Sequence, residues 1–288
     1  MDYIAFDFET ANKNLTSACS IGLVGVSNNK IAFAIQYLIN PEEEFSDYNI
    51  NVHHITPKLV ADAGNFPCVW EKIRPYFTNT VVFAHNVAFD IKVLKALIDK
   101  YELEPPQVKF GCTWKMAAKL WKDELKNHRL PTLAAHLGIN HSPHDALSDA
   151  KVCVEIITRG QKITSTSDVN SLYEALGIRF GRYDSYRFFP SNYIYVRKTA
   201  KTIVKNKALN DKIICVLGKP KTMTKTQLTD KLLSQGVFIE KSINRSLDYV
   251  LVLGNCPKAQ LMTAIKLTQQ GASMKVINEQ ELLAMMLG

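Results

Sequence analysis

The stretch Ile4-Ala5-Phe6-Asp7-Phe8-Glu9-Thr10 is an apolar, aromatic run that carries two carboxylates towards its end, and it predicts a β-strand. Side chains two residues apart in a strand lie on the same face of a sheet, so Asp7 and Glu9 are expected side by side. Neighbouring ionised carboxylates repel each other unless a cation lies between them, which makes the pair a candidate metal site. The alternative is a strand that simply ends in solvated acids.

The segments that follow this strand predict an α/β layer fold. Residues 19–26 and 30–39 are rich in Ile, Val, Phe and Tyr, and Ser27-Asn28-Asn29 between them suits a hairpin turn. Further predicted elements are strands at 80–84 and 108–113 and helices at 66–77, 86–100, 132–137 and 145–158. Strands first, then alternating strands and helices, are the pattern of an α/β domain.

A second acidic position is predicted near the start of a helix, in Ala84-His85-Asn86-Val87-Ala88-Phe89-Asp90. Asn86 suits a helix N-cap, and Asp90, four residues on, shares its helix face. The preceding buried strand ends there, and in an open α/β sheet such strand ends are where sites form. The alternative for Asp90 is a first-turn acid that favours the helix dipole.

A third acidic position lies in His144-Asp145-Ala146-Leu147-Ser148-Asp149-Ala150. Asp149 is embedded among alanine, leucine and valine side chains of a predicted helix, where a carboxylate without a role is unfavourable. His144 precedes that helix. A histidine there is commonly structural or solvated, but one within reach of a metal-bound water is a competent general base near neutral pH.

Together these segments supply a candidate catalytic set of four acids and one histidine: Asp7, Glu9, Asp90, Asp149 and His144. Oxygen ligands select hard cations, so Mg²⁺ or Mn²⁺ is expected rather than Zn²⁺. Two such ions about 3.5 to 4 Å apart can bind both the attacking and the leaving oxygen of an in-line displacement at phosphorus. The chemistry indicated is phosphodiester hydrolysis.

Composition narrows the class of protein further. The 288 residues are 47% apolar and 22% charged, which is globular composition. The apolar runs are short and the N-terminus reads Met-Asp-Tyr-Ile-Ala, so neither a spanning helix nor a secretion signal is predicted and a cytoplasmic protein is expected. Six widely spaced cysteines without a C-x-x-C pair argue against a disulfide framework and against a zinc knuckle.

Charge is distributed unevenly along the chain, and the segments that differ in net charge nearly coincide with the predicted domains. The formal net charge is −2 over residues 1–160, +6 over 161–212 and +4 over 213–288. A basic second half favours a polyanion partner through phosphate contacts, and a solvated basic linker is the alternative. The polar stretch 161–170 predicts a boundary, so residues 161–211 are expected to form a linker and 212–288 a second, small α/β domain.

Aromatic and arginine residues alternate within the predicted linker, at 179–197. Such interleaving can stack bases and contact phosphates. Equally, the aromatic side chains can pack this segment onto its neighbours.

The three acidic segments resemble the motifs of the DEDDh 3′-5′ exonucleases, the superfamily of the epsilon subunit of bacterial DNA polymerase III. The resemblance covers residues 1–160 and implies an RNase H-like exonuclease domain with a mixed sheet flanked by helices. It also implies two divalent ions held by the four acids, with His144 as the base that activates water. The residues that it places near the substrate are Phe8, Thr10, His54 and Asn86. The glycine-containing turn usual after the first motif is replaced by residues 11–14.

Residues 212–288 resemble a BRCT domain of the type found in bacterial DNA ligases and clamp-loader large subunits. The matching segments are 215–218, 235–236, 248–252 and 276–279. In members that hold a DNA 5′-phosphate, a Thr-Gly pair, a basic residue seven positions on and a later lysine make the contacts. Gly218, Lys225 and Lys258 match that pattern, whereas Leu217 replaces the threonine. The substitute hydroxyls are Thr222 and Thr224, and a protein-interaction module is the competing interpretation.

These features together predict a cytoplasmic, metal-dependent 3′-5′ exonuclease acting on single-stranded or frayed DNA 3′ ends in proofreading or repair. The basic segment and the BRCT domain are expected to bind DNA, 5′-phosphorylated DNA ends or a replication or repair protein. The alternatives are a 3′-5′ exoribonuclease of the same superfamily and a non-catalytic DNA-end or scaffold protein. The complete set of acids with its histidine argues against a non-catalytic protein.

Overall fold

The computed structural model of the chain describes residues 1–184, 187–189, 191–193, 208–210, 212–240, 242–244 and 247–287. The chain divides into two units, Met1–Tyr193 and Ile194–Gly288. Among the helices in the described ranges, none is long and apolar enough to pass through a bilayer.

A mixed sheet forms the centre of the first unit. The strands of this unit are β1 (Tyr3–Thr10), β2 (Ala18–Ser27), β3 (Lys30–Leu38), β4 (Val81–Ala84), β5 (Val108–Cys112), β6 (Ile178–Arg179), β7 (Gly181–Asp184), β8 (Arg187–Phe189) and β9 (Asn192–Tyr193). The sheet order is β3-β2-β1-β4-β5-β7-β8, and β6 pairs separately with β9. β1 pairs antiparallel with β2 and parallel with β4, which confirms the expected mixed sheet. Asn28 and Asn29, both with positive φ, form the predicted turn between β2 and β3.

Helices pack against this sheet and build two apolar cores. They are α1 (Asp47–His53), α2 (Pro57–Val60), α3 (Phe66–Ile73), α4 (Ala88–Lys100), α5 (Thr113–Leu120), α6 (Leu130–Leu137), α7 (Ala146–Thr164) and α8 (Val169–Ala175). A 3₁₀ turn at Arg74–Phe77 follows α3. Trp70 and Leu94 belong to the core built by α3 and α4. Met116 and Ile156 belong to the core built by α5 and α7, so helices flank the sheet as expected.

Alternation along β1 separates the two cores. Phe6 and Phe8 are buried in the core that contains α4, whereas Ala5 is buried in the core that contains α7. Because strand residues point alternately to opposite faces, Asp7 and Glu9 share the face of Ala5. The two carboxylates therefore lie on the side of the sheet that α7 covers.

The start of α7 lies very close to β2. A Cβ atom on Gly22 would be 2.3 Å from the carbonyl carbon of Ala146 and 2.4 Å from the nitrogen of Leu147, closer than non-bonded atoms approach. Glycine at this position lets the first turn of α7 rest directly on the sheet. Gly22 also pairs with Asp7 in the β1–β2 ladder. The contact therefore sets the distance between the first turn of α7, which carries Asp149, and Asp7.

Residues 161–193 belong to the first unit, which differs from the linker predicted for 161–211. α7 continues to Thr164, α8 follows it, and β7 and β8 extend the sheet beyond β5. Phe180 stacks on Tyr173 with ring centroids 4.0 Å apart, and Tyr183 is buried. At positions 180 and 183 the aromatic pattern therefore reflects packing. Residues 186 and 195–197 and the side chains at 187–189 and 193 lie outside what the structure describes.

The second unit contains a four-stranded parallel sheet. Its elements are β10 (Ile213–Leu217), α9 (Lys225–Ser234), β11 (Phe238–Glu240), β12 (Tyr249–Val252), α10 (Lys258–Gln269), β13 (Lys275–Asn278) and α11 (Glu279–Leu287). The strand order is β11-β10-β12-β13. Ile214, Leu232 and Leu282 are buried in its core. Strands and helices alternate in this unit, as expected of the small α/β domain predicted at residues 212–288.

Candidate active site

Carboxylates of the first and third acidic segments meet where α7 covers the end of β1. Asp7 and Glu9 belong to β1, and Asp149 lies in the first turn of α7. One carboxylate oxygen of Glu9, one of Asp149 and a ring nitrogen of His144 all lie within 4.8 Å of one another. Asp149 is only 6% exposed, so its carboxylate is largely removed from solvent.

Asp90 reaches the same place from α4. β4 ends at Ala84, and its pairing with β1 stops before Phe8. The backbone N–H of Phe8 instead donates a hydrogen bond of 3.1 Å to Oδ1 of Asp90, which is 1% exposed. The Asp90 carboxylate is thereby held against β1, the strand that carries Asp7 and Glu9.

Asn86 does not cap α4, contrary to the role predicted for it. The helix begins at Ala88 with Val87 at the N-cap position, and Asn86 has a φ of 58°. An N-cap residue needs extended backbone dihedrals, whereas the tight turn after β4 requires a left-handed residue, which asparagine tolerates. The carbonyl of Asn86 accepts a hydrogen bond of 3.0 Å from the N–H of Phe89.

Burial raises the pKa of all four carboxyl groups, and repulsion from neighbouring carboxylates adds to the shift of Asp7, Glu9 and Asp90. Burial, reinforced by Asp149, raises the pKa of Glu9 to about 8, and burial raises that of Asp90 to about 7. The pKa of Asp7 lies well above its usual range, because of burial and then repulsion from Asp90, Asp149 and Glu9. Burial also raises the pKa of Asp149, although two nearby histidines oppose the shift. A cluster of this kind attracts protons or cations near neutral pH.

Two histidines lie beside Asp149. His144 is exposed and has a φ of 62°, and its backbone N–H donates a hydrogen bond of 3.2 Å to Oδ2 of Asp149. His141, whose side chain is 4% exposed, donates from Nε2 to Oδ1 of the same carboxylate. His141 is absent from the predicted site. The His-x-x-His spacing ahead of α7 is the sequence signal that points to it.

A buried histidine fixes the backbone at Thr10. The N–H of Ile55 donates to Nδ1 of His53 at 3.0 Å, so Nε2 carries the proton and donates to the carbonyl of Thr10 at 3.1 Å. Asn49 donates to the same carbonyl at 2.7 Å. His54, the residue predicted near the substrate, is exposed and ends α1 in a left-handed conformation. His53, rather than His54, therefore contacts the end of β1.

A cavity of about 650 Å³ opens beside Asp149 and His144. The residues that line it come from the turn after β4, the start of α5, the start of α6 and the segment before α7: His85, Asn86, Trp114, Arg129, Leu130, Pro131, His141 and Pro143. Asn86, predicted to contact the substrate, thus borders a cavity that reaches the carboxylates. Trp114 and Arg129 are cavity residues that the sequence patterns did not indicate.

The phosphate-binding residues predicted for the second unit lie at one edge of its sheet. Gly218 follows β10, and Lys225 and Lys258 are the first residues of α9 and α10. Because the strands are parallel, these positions all follow carboxyl ends of strands at the same edge. Gly218 has a φ of 88°, and a Cβ there would lie 2.6 Å from the carbonyl oxygen of Gly254, so the close approach of the two loops requires glycine.

Both hydroxyls considered as substitutes for the missing threonine are already engaged. Thr224 caps α9 by accepting a hydrogen bond from the N–H of Gln227. The carboxylate of Glu279 accepts hydrogen bonds from the N–H of Lys221 at 3.0 Å, from the N–H of Thr222 at 3.1 Å and from the Thr222 hydroxyl. The donors with which this loop could bind an anion are therefore already bound to the carboxylate of Glu279.

Comparison with known proteins agrees with the geometry of the first unit. Residues 4–157, more than half of the chain, match the RNase T family, described as Exonuclease. DNA polymerase III subunit epsilon of Treponema pallidum is 28% identical over 160 residues, which are 54% of this chain and 74% of that protein. A PolC-type DNA polymerase III of Caldanaerobacter subterraneus subsp. tengcongensis is 27% identical over 180 residues, 59% of this chain but only 13% of the relative.

A solved structure shows the same fold. A full-length 3′-exonuclease superposes with a TM-score of 0.52 at 19% identity, covering 69% of this chain and 67% of the other. The family match runs from β1 through α4 into α7, and it therefore includes all four carboxylates. The chain belongs to the exonuclease family.

Proposed function

We propose that the chain is a metal-dependent 3′-5′ exonuclease of the DEDDh type that removes nucleotides from DNA 3′ ends. One observation carries the proposal: four carboxylates from β1, α4 and α7 meet at one place, and histidines lie beside one of them. Membership of the exonuclease family supports it. Four carboxylates buried together without a cation would be unfavourable, since Asp90, Asp149 and Glu9 all raise the pKa of Asp7.

The donor set of this site fits Mg²⁺ or Mn²⁺. Asp7, Glu9, Asp90 and Asp149 would hold the ions through oxygen ligands, which hard divalent cations prefer. Burial is the main cause of the raised pKa values of these groups, and repulsion between the carboxylates adds to it. A cation would offset that repulsion. When bound, such ions supply positive charge to the attacking and leaving oxygens of the phosphodiester.

His144 is the proposed general base. Its ring lies within 4.8 Å of carboxylate oxygens of Glu9 and Asp149 and is exposed, so it can take a proton from an attacking water and release it to solvent. His141 is buried against Asp149 and is assigned a positioning role, because its hydrogen bond fixes the orientation of that carboxylate.

The end of β1 is the proposed position of the 3′-terminal nucleotide. The backbone there is held from two sides, by Asp90 on the N–H of Phe8 and by His53 and Asn49 on the carbonyl of Thr10. A rigid backbone next to the carboxylates can position a sugar with little loss of conformational entropy on binding.

DNA is the proposed substrate. The relatives named above are described as DNA polymerase III subunits or polymerases, which act on DNA. The chain carries a formal net charge of +8, which favours a polyanion.

The second unit is proposed to be a BRCT-like module that binds a DNA end or a protein of replication or repair. Its four parallel strands and the placement of Lys225 and Lys258 at one sheet edge support this proposal. Because Glu279 already occupies the loop amides, the two lysines are the proposed contacts for a 5′-phosphate.

Digestion of matched 5′-labelled single-stranded DNA and RNA in Mg²⁺, beside circular single-stranded DNA, tests substrate and direction together. We expect a ladder of shortened labelled DNA strands and no cutting of the circle. Immediate release of labelled mononucleotide would mean 5′-3′ removal, and a ladder on RNA alone would identify an exoribonuclease. Intact DNA and RNA would favour the non-catalytic alternative. The Arg159→Ala variant, which removes an exposed arginine paired with Glu155 on α7, is the matched control, and its ladder should be unchanged.

A further inference from the structure

Two side chains on the wall of the cavity have no part in the proposed hydrolysis. Trp114, in the first turn of α5, is 41% exposed, and Arg129, which precedes α6, is also exposed. Both line the cavity that reaches Asp149 and His144. Among the residues that the structure describes, no carboxylate pairs with the Arg129 guanidinium. An exposed indole and an uncompensated guanidinium on the wall of one cavity suit a ligand that is both aromatic and anionic.

A half-buried histidine, His85, holds this wall in place. Nδ1 of His85 accepts a hydrogen bond of 3.0 Å from the hydroxyl of Thr113, and Nε2 donates one of 2.8 Å to the carbonyl of His128. Burial lowers the pKa of His85 to about 4, so the ring stays neutral and keeps this donor and acceptor arrangement. Thr113 and His128 directly precede Trp114 and Arg129 in the chain. His85 therefore acts as a positioning residue for the indole and the guanidinium.

We propose that Trp114 and Arg129 form a subsite for the nucleotide that precedes the scissile phosphate, with its base stacked on the indole and its 5′-phosphate bound to the guanidinium. The inference rests on the proposed exonuclease function. The 3′-terminal nucleotide brings one phosphate, and hydrolysis requires that phosphate at the carboxylates. We therefore assign the guanidinium on the wall of the same cavity to the next phosphate of the strand.

The subsite explains how a strand end can be held without selecting a sequence. Every base has a π-face, so stacking on an aromatic side chain tolerates all four bases. The cavity volume of about 650 Å³ is within the range of ordinary ligand pockets. The two contacts are separable, because one acts on the base and the other on the phosphate.

The phosphate contact is tested with the thymidine dinucleotides pTpT and TpT, which differ only in the 5′-phosphate of the first nucleotide. We expect the wild type to prefer pTpT by about tenfold or more in kcat/KM, since hydrogen bonds to charged groups are strong. Arg129→Ala should abolish this preference and Arg129→Lys should keep part of it. Arg159→Ala, which removes an exposed arginine paired with Glu155 on α7, is the matched control and should keep all of it. An unchanged preference in Arg129→Ala overturns the inference.

The stacking contact is tested with pTpT and a counterpart whose first nucleotide is abasic. Trp114→Ala should lose about tenfold in kcat/KM on pTpT and nothing on the abasic dinucleotide, because only the former has a base to stack. Equal loss on both substrates would mean that Trp114 is structural, and it would overturn the assignment.

Binding without metal separates this inference from the proposed function. In EDTA, the anisotropy of fluorescein-labelled octathymidylate measures affinity, and quenching of tryptophan fluorescence reports stacking, because Trp70 and Trp121 are only 3% and 4% exposed. If the wild type cleaves neither the dinucleotides nor the single-stranded oligonucleotide, the exonuclease proposal fails while the subsite is still decided by binding. Weaker binding of Trp114→Ala and Arg129→Ala than of Arg159→Ala supports the subsite. Equal affinity of all three overturns it.

Discussion

Gly22→Ala should lower activity by displacing Asp149, although residue 22 itself has no side chain that takes part in the reaction. The new Cβ would lie 2.3 Å from the carbonyl carbon of Ala146, whereas non-bonded carbons need about 3.5 Å. Since the atom that it meets is backbone at the start of α7, the helix and the sheet must separate by about 1.2 Å. Asp149 moves with that turn, away from Asp7 on β1.

The expected cost is large both in stability and in activity. Overpacking of a buried contact costs about 2 to 3 kcal/mol, which corresponds to a fall of about 5 to 10 °C in the Tm of a unit of this size. A misplacement of about 1 Å at a catalytic centre lowers activity about a hundredfold. Differential scanning calorimetry and kcat/KM on a single-stranded oligonucleotide measure the two effects.

Gly25→Ala is the matched control for this substitution. Its Cβ would meet the ring of Phe33 at 2.2 Å, but that side chain is only partly buried and can rotate away from the new methyl group. We expect a smaller fall in Tm and activity within about threefold of the wild type. Wild-type Tm and kcat/KM in Gly22→Ala would mean that α7 does not rest directly on β2.

Three further outcomes are expected. Because folding raises the pKa of Glu9 to about 8 and of Asp90 to about 7, the folded chain binds more protons than the unfolded chain between about pH 4 and 8, and its unfolding free energy in EDTA should fall as pH rises through that window. Calorimetry should show Mg²⁺ raising Tm more at pH 8 than at pH 6, and equal effects would count against the cluster as a cation site. His144→Ala should lower kcat at least about a hundredfold with little change in KM, whereas similar kinetics to the wild type would exclude it as the base. Glu279→Gln should tighten the binding of 5′-phosphorylated duplex, because it removes a negative charge from the amides of Lys221 and Thr222. Anisotropy with 5′-phosphorylated and 5′-hydroxyl duplexes measures the effect, and equal affinity of the variant and the wild type for the phosphorylated duplex would argue against a phosphate site at this edge.

Local patterns explain much of the fold and part of the site. The shared face of Asp7 and Glu9 follows from alternation along one strand, and the turn at Asn28-Asn29 follows from residues that tolerate positive φ. The position of Asp149 in the first turn of α7 follows from helical spacing. Each of these features depends on residues that are neighbours in sequence.

Features that depend on distant contacts could not be predicted in the same way. His53 and His54 are adjacent, and only the position of the end of α1 decides that His53 is the one turned towards Thr10. The need for glycine at position 22 arises from a helix that begins more than a hundred residues later. Strands β7 and β8 are short. The pairing of β7 with β5, and of β8 with β7, makes part of the predicted linker an extension of the sheet. In each case the deciding partner lies far away in the sequence.

The most direct test of the central claim is digestion of a 5′-labelled single-stranded oligonucleotide by the wild type in Mg²⁺, in EDTA, and by Asp149→Ala in Mg²⁺. We expect a ladder of single-nucleotide steps only for the wild type in Mg²⁺. We also expect Asp149→Ala to bind the oligonucleotide. A ladder of equal intensity from Asp149→Ala, or from the wild type in EDTA, would contradict the assignment of the carboxylate cluster as the centre of hydrolysis.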